Sequence, residues 1–149
     1  MATIRLPPDF KEFLRLLNSH GVEYLLVDAY AVGYYGYPRP TGDMDVWVAM
    51  HQRNAERLVE AIAGFGFRVS ELSPGLFLKK DQHVRMGIPP LRIDVLTRIS
   101  GIRFEECYPQ RTRAAIEDVT VDVISLEHLK KNKKASGRHK DLDDLEHLP

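Results

Sequence analysis

Residues 36–48, Gly36-Tyr37-Pro38-Arg39-Pro40-Thr41-Gly42-Asp43-Met44-Asp45-Val46-Trp47-Val48, constrain the fold more than any other stretch. Two prolines and two glycines make a turn that runs directly into an apolar strand with acids at its start. In an extended strand Asp43 and Asp45 point to the same face. Carboxylates that close repel each other, and a sheet face would not hold them there for stability alone. A divalent cation bound between them is the usual remedy. Trp47 shares their parity and is expected to form an apolar wall beside the pair.

Helices and short strands surround this element. Pro7-Pro8-Asp9 precedes Phe10, Phe13, Leu14 and Leu17, the spacing of an amphipathic first helix that ends at Gly21. Tyr24–Val27 reads as a strand covered on both faces. A short helix is then expected over 28–36 and a longer one over Gln52–Gly64, where Ala55, Leu58, Val59 and Ile62 recur at helical spacing. Three successive strands are expected at Gly75–Lys80, His83–Ile88 and Leu91–Thr97. A short helix or loop follows near Ile102–Cys107, then a hairpin of Thr112–Ile116 and Val119–Ile124. Ser125 suits an N-cap for a helix through Lys134, and a last helix runs from about His139 to Leu148. Tyr30, Tyr34, Tyr35 and Tyr37 have the spacing of one helix and its exit, which favours core packing over base stacking.

The order predicts an α/β (α+β) fold, a mixed β-sheet with helices packed against it, and central acid-bearing strands. With 149 residues, 44% of them hydrophobic, one domain spanning 1–149 is expected, its C-terminal helices starting near 125. The single cysteine, Cys107, cannot form an internal bridge, which favours a reducing, cytoplasmic setting. No apolar run approaches the roughly 20 residues needed to cross a bilayer, and the N-terminus lacks a secretory h-region. Balanced charge, 21 basic against 21 acidic residues, gives no general argument for nucleic acid. The cations are nonetheless uneven, since Lys130, Lys131, Lys133, Lys134, Arg138 and Lys140 crowd one stretch.

A third acid, Asp94, lies in the middle of Leu91-Arg92-Ile93-Asp94-Val95-Leu96. If that strand lies beside the one carrying Asp43 and Asp45, three carboxylates converge. Hard oxygens suit Mg²⁺ or Mn²⁺, and the six histidines share no ligand spacing that would suggest zinc. Such ions can hold a nucleoside triphosphate (NTP) and stabilise the entering and leaving oxygens of an in-line transfer. Spacing alone leaves a plainer alternative open, with Asp43 capping a turn, Asp45 solvated, and Asp94 paired with Arg92 or another cation.

Val27-Asp28-Ala29-Tyr30-Ala31-Val32, the 36–48 stretch, Leu91–Leu96 and Asn132-Lys133-Lys134-Ala135-Ser136-Gly137-Arg138-His139-Lys140-Asp141-Leu142-Asp143-Asp144-Leu145 together resemble the nucleotidyltransferase fold superfamily, in particular small bacterial AbiEii-like and minimal nucleotidyltransferases. The resemblance covers the chain from about residue 21 onward. It implies a metal-binding role for Asp43, Asp45 and Asp94, with Asp94 also activating an acceptor hydroxyl. It further implies that Arg39 and Thr41 shape the pocket rim, and that Lys133, Arg138 and Lys140 face phosphate or acceptor. A solvated helix face is the alternative for those three cations.

Asp28-Ala29 departs from that pattern, which has Gly-Gly or Gly-Ser at this strand–helix joint to let the backbone approach a triphosphate. As an N-cap, Asp28 would satisfy the first-turn N–H groups itself and repel phosphate. Either Asp28 joins the metal-binding acids or the substitution has disabled nucleotide binding within an intact fold. Two functions follow: Mg²⁺-dependent transfer of a nucleoside monophosphate from NTP to a hydroxyl, or a catalytically inactive binding module of a toxin–antitoxin or phage-defence system. A partner protein or a homodimer is expected to complete so small a pocket.

Overall fold

The computed structural model describes residues 4–67, 71–87 and 90–149. Helix α1 (Pro8–Ser19) starts on Pro8, whose missing N–H is harmless in the first turn, and buries Phe10, Phe13, Leu14 and Leu17. Gly21, at φ 68°, turns the chain into β1 (Tyr24–Val27), every residue of which is buried. Helix α2 (Asp28–Tyr34) follows without an intervening loop. The proline-rich turn then leads into β2 (Asp43–Val48) and α3 (Gln52–Gly64).

Strands β3 (His83–Met86) and β4 (Arg92–Leu96) come next, then a single helical turn, α4 (Phe104–Cys107). The hairpin of β5 (Thr112–Ile116) and β6 (Val119–Val123) follows. Two C-terminal helices complete the chain, α5 (Leu126–Ser136) and α6 (His139–His147). Ser125 caps α5 by accepting from the His128 N–H at 3.2 Å. Gly137, at φ 67°, ends α5 in the left-handed conformation that a side chain would oppose.

Six strands form one mixed sheet in the order β3-β4-β2-β1-β6-β5. β2 runs antiparallel to β1 and parallel to β4, so both acid-bearing strands lie inside the sheet. The register sets Val27 opposite Asp45 on one side and Asp94 opposite Asp45 on the other. Asp28, the residue after Val27, therefore emerges at the sheet end beside Asp45.

The expected strand at Gly75–Lys80 is instead a short 3-10 helix, Pro74–Leu78. Leu76-Phe77-Leu78 lacks the alternation of a half-buried strand, and Pro74 supports a helical start. The turn buries Phe77 and packs against α3. Ile88, the expected end of the next strand, His83–Ile88, lies outside the described residues. The four tyrosines are used in packing: Tyr30 meets Phe10 edge-on, Tyr34 meets Tyr35 edge-on, and Tyr37 stacks on His147. Tyr35 donates to the Ile124 carbonyl at 2.6 Å, tying α2 to the end of β6. Among the described residues no helix is long and apolar enough to cross a membrane.

Candidate functional site

A cleft of about 490 Å³ opens at the sheet end where β1 gives way to α2. Asp28, Asp43, Asp45 and Asp94 line it, together with Arg85, Arg98, Arg138 and Lys140. Equal numbers of acids and strong bases leave the cleft near neutrality, yet the charges are not evenly paired. Asp94 is 2% exposed. The Arg85 guanidinium holds both its oxygens, Nε to Oδ1 at 2.8 Å and Nη2 to Oδ2 at 3.3 Å. His83 Nε2 lies 3.1 Å from the same Oδ1. Burial pushes the Asp94 carboxyl up, but Arg85 and His83 more than offset this and hold it below the usual carboxylate range.

Asp43 accepts from Arg92 Nε at 3.0 Å, and its backbone N–H donates to Thr41 Oγ1 at 3.2 Å. Asp45 makes no ion pair or side-chain hydrogen bond among the described residues. Burial, then the charges of Asp28 and Asp94, push its carboxyl up to about 8. Asp45 therefore favours its neutral form at pH 7 until a cation offsets the neighbouring carboxylates.

Asp28 does not cap its own helix. α2 starts at Asp28 itself, Val27 takes the N-cap position, and no side chain bonds to the first-turn N–H groups. The backbone at Asp28 is left-handed, at φ 57°, a conformation natural to glycine and tolerated by aspartate. Its carboxylate pairs instead with Lys133 Nζ and lies 3.6 Å from Lys140 Nζ.

Lys133 is 1% exposed, so neither a solvated face nor a phosphate contact describes it. Its ammonium also meets Asp141 at 3.1 Å and Asp144 at 3.0 Å. Asp141 and Asp144 stand three apart on α6 and so share a helix face. Oxygens of Asp28, Asp141 and Asp144 all lie within 4.8 Å of one another, and the cation seated against all three is Lys133. Burial pulls the Lys133 ammonium down, but Asp28 and Asp144 outweigh that and hold it above its ordinary value. Arg138 Nε binds Asp141 at 2.7 Å. Arg39 grips both oxygens of Asp144 at 2.8 Å.

The predicted residues thus separate into three places. Asp43, Asp45 and Asp94 share the cleft with Asp28, Arg138 and Lys140. Arg39, Thr41 and Ala29 line a smaller cavity of about 240 Å³, away from the expected rim. Lys133 lies buried behind Asp28. Trp47 is covered by the Phe104 ring and donates to the Thr97 carbonyl at 3.4 Å, so it does not wall the cleft. Sequence reasoning missed His83, Arg85, Arg98, Asp141 and Asp144. The i, i+2 spacing of His83 and Arg85 and the i, i+3 spacing of Asp141 and Asp144 were the available signals.

The sequence matches no protein-family model and no curated protein. Solved structures do match the fold. A candidate nucleotidyltransferase from Thermotoga maritima aligns over 91% of this chain and 86% of its own, with TM-score 0.59 and 13% identity. An antigenic nucleotidyltransferase-like protein from Paracoccidioides brasiliensis aligns over 89% of this chain and 69% of its own, with TM-score 0.53 and 20% identity. The chain has a nucleotidyltransferase-like α/β fold.

Proposed function

We propose that the cleft binds a divalent cation and an NTP and transfers a nucleoside monophosphate to a hydroxyl acceptor, breaking the α–β phosphoanhydride bond and releasing pyrophosphate. The observation that carries this reading is the β2–β4 register, which sets Asp45 opposite Asp94 with Asp43 two residues away on the same face. The donor set suits Mg²⁺ or Mn²⁺ by type, since all three groups offer hard oxygens, although among the described residues the acids with oxygens within 4.8 Å of one another are Asp28, Asp141 and Asp144. Asp43, Asp45 and Asp94 would hold the ion. When bound, such an ion stabilises charge on the phosphate oxygens. Arg98, Arg138 and Lys140 supply positive charge at the cleft for the polyphosphate. Asp94 orients the acceptor hydroxyl and accepts its proton on a carboxylate oxygen.

A second reading, a catalytically inactive binding module serving a partner of a toxin–antitoxin or phage-defence system, is favoured by Asp28. Its carboxylate already neutralises Lys133 and approaches Lys140, the cations nearest the strand–helix joint. Calorimetry with ATP at saturating Mg²⁺ separates the two. The enzymatic reading expects binding that Asp45→Asn abolishes, and unchanged binding in that variant would remove the site as drawn. The second reading expects none in the unmodified protein, with binding gained by Asp28→Gly/Ala29→Gly. Glycine suits the φ of 57° at position 28, so that double variant should fold.

A further inference from the structure

The cations of the cleft are not equivalent. Arg92 touches Asp43 through one nitrogen, whereas Arg85 closes on Asp94 with a two-nitrogen fork. Arg85 also stands on β3, the edge strand, with its side chain 46% exposed at the cleft wall. Asp94 is thus held on both oxygens, while Asp45, opposite it in the register, makes no ion pair among the described residues.

A guanidinium fork matches a carboxylate and a phosphate with the same geometry. From these contacts we infer that Arg85 is a ligand-exchanged latch: it holds Asp94 while the cleft lacks polyphosphate, and moves to a phosphate oxygen when NTP binds, freeing Asp94. The inference rests on the metal–nucleotide reading above. Three features support exchange over a fixed structural pair. The Arg85 side chain is about half exposed and carries its guanidinium on a long, flexible stem. Among the described residues no strand lies beyond β3 to pin that stem. Arg98, Arg138 and Lys140 line the same cleft and leave a polyphosphate with cations on more than one side. Among the described residues the other group on Asp94 is His83, which meets Oδ1, so departure of Arg85 frees Oδ2.

The latch makes two opposite predictions for one substitution. In Arg85→Gln, Mn²⁺ alone should bind about tenfold tighter, because a unit positive charge next to the metal-binding acids is gone. ATP at saturating Mg²⁺ should bind about tenfold weaker, because a charge-assisted phosphate contact is gone. Arg85→Lys keeps the charge and loses the fork, so it should leave Mn²⁺ affinity near that of the unmodified protein and still weaken ATP. Mn²⁺ affinity is read by electron paramagnetic resonance and ATP affinity by calorimetry, with thermal melts showing that each variant folds. Mn²⁺ binding that is unchanged or weakened in Arg85→Gln overturns the latch, as does undiminished ATP affinity. If the unmodified protein binds neither Mn²⁺ nor ATP, the underlying reading fails first, and the latch with it.

Discussion

Replacing Lys133 with methionine removes the ammonium from the centre of Asp28, Asp141 and Asp144 and keeps much of its apolar stem. With oxygens as far apart as 4.8 Å, and at an effective dielectric of 20, each carboxylate pair repels by about 3–4 kcal/mol. The variant can escape by protonating one acid, which from the ordinary aspartate range costs about 4 kcal/mol at pH 7. Asp28 is 20% exposed and can turn partly to water, which lowers the loss to about 3–4 kcal/mol. That proton costs only about 1.5 kcal/mol at pH 5. In the unmodified protein burial pushes Asp141 and Asp144 up, but Arg138, Arg39 and Lys133 more than offset it and hold both below the usual value. Their stabilisation is therefore present above the unfolded value, about 3.9, and is lost only as pH falls through the lower folded values. In the variant one carboxyl is raised, so its penalty shrinks as pH falls from 7 to 5. Urea unfolding followed by circular dichroism at both pH values reads the gap, which should narrow by more than half. A gap below about 1 kcal/mol at pH 7, or one equal at both pH values, refutes the reasoning.

Asp45→Asn should stabilise the metal-free protein while abolishing Mg²⁺–ATP binding. The folded carboxyl at about 8 lies above its unfolded value, so stability falls as pH rises from about 4 to 8. The variant escapes that loss, by on the order of 2–3 kcal/mol at pH 8 after allowing for partial exposure, and by nearly nothing near pH 4. Urea midpoints across that range check the sign, and a variant destabilised at pH 8 would contradict it. Gly42→Ala should destabilise by about 1–3 kcal/mol, since a Cβ there would sit 1.9 Å from the Pro90 carbonyl oxygen. Thermal melting measures the loss, and an unchanged midpoint would mean that this crossing yields freely.

The short-range features of the fold were legible in the sequence. Apolar spacing placed α1 and α3, Gly21 marked a helix end, and the period of two put Asp43 and Asp45 on one face. Each depends on residues within a few positions, where backbone geometry alone decides which side chains share a face. The failure at Pro74–Leu78 has the same origin, because an unalternating apolar run does not distinguish strand from helix.

What the sequence by itself determined, then, was the mixed α/β frame and the acids on its strands. Tertiary structure alone decided which charge meets which. Lys133 and Asp28 are 105 positions apart, as are Arg39 and Asp144, and no local periodicity reports such pairs. The basic C-terminal motif reads as a phosphate-binding surface until packing of α5 and α6 buries Lys133 among three acids. Asp28 likewise reads as a helix cap until its left-handed backbone turns the carboxylate towards that ammonium. A charge's role depends on its solvation and its nearest opposite charge, and both are properties of the folded chain.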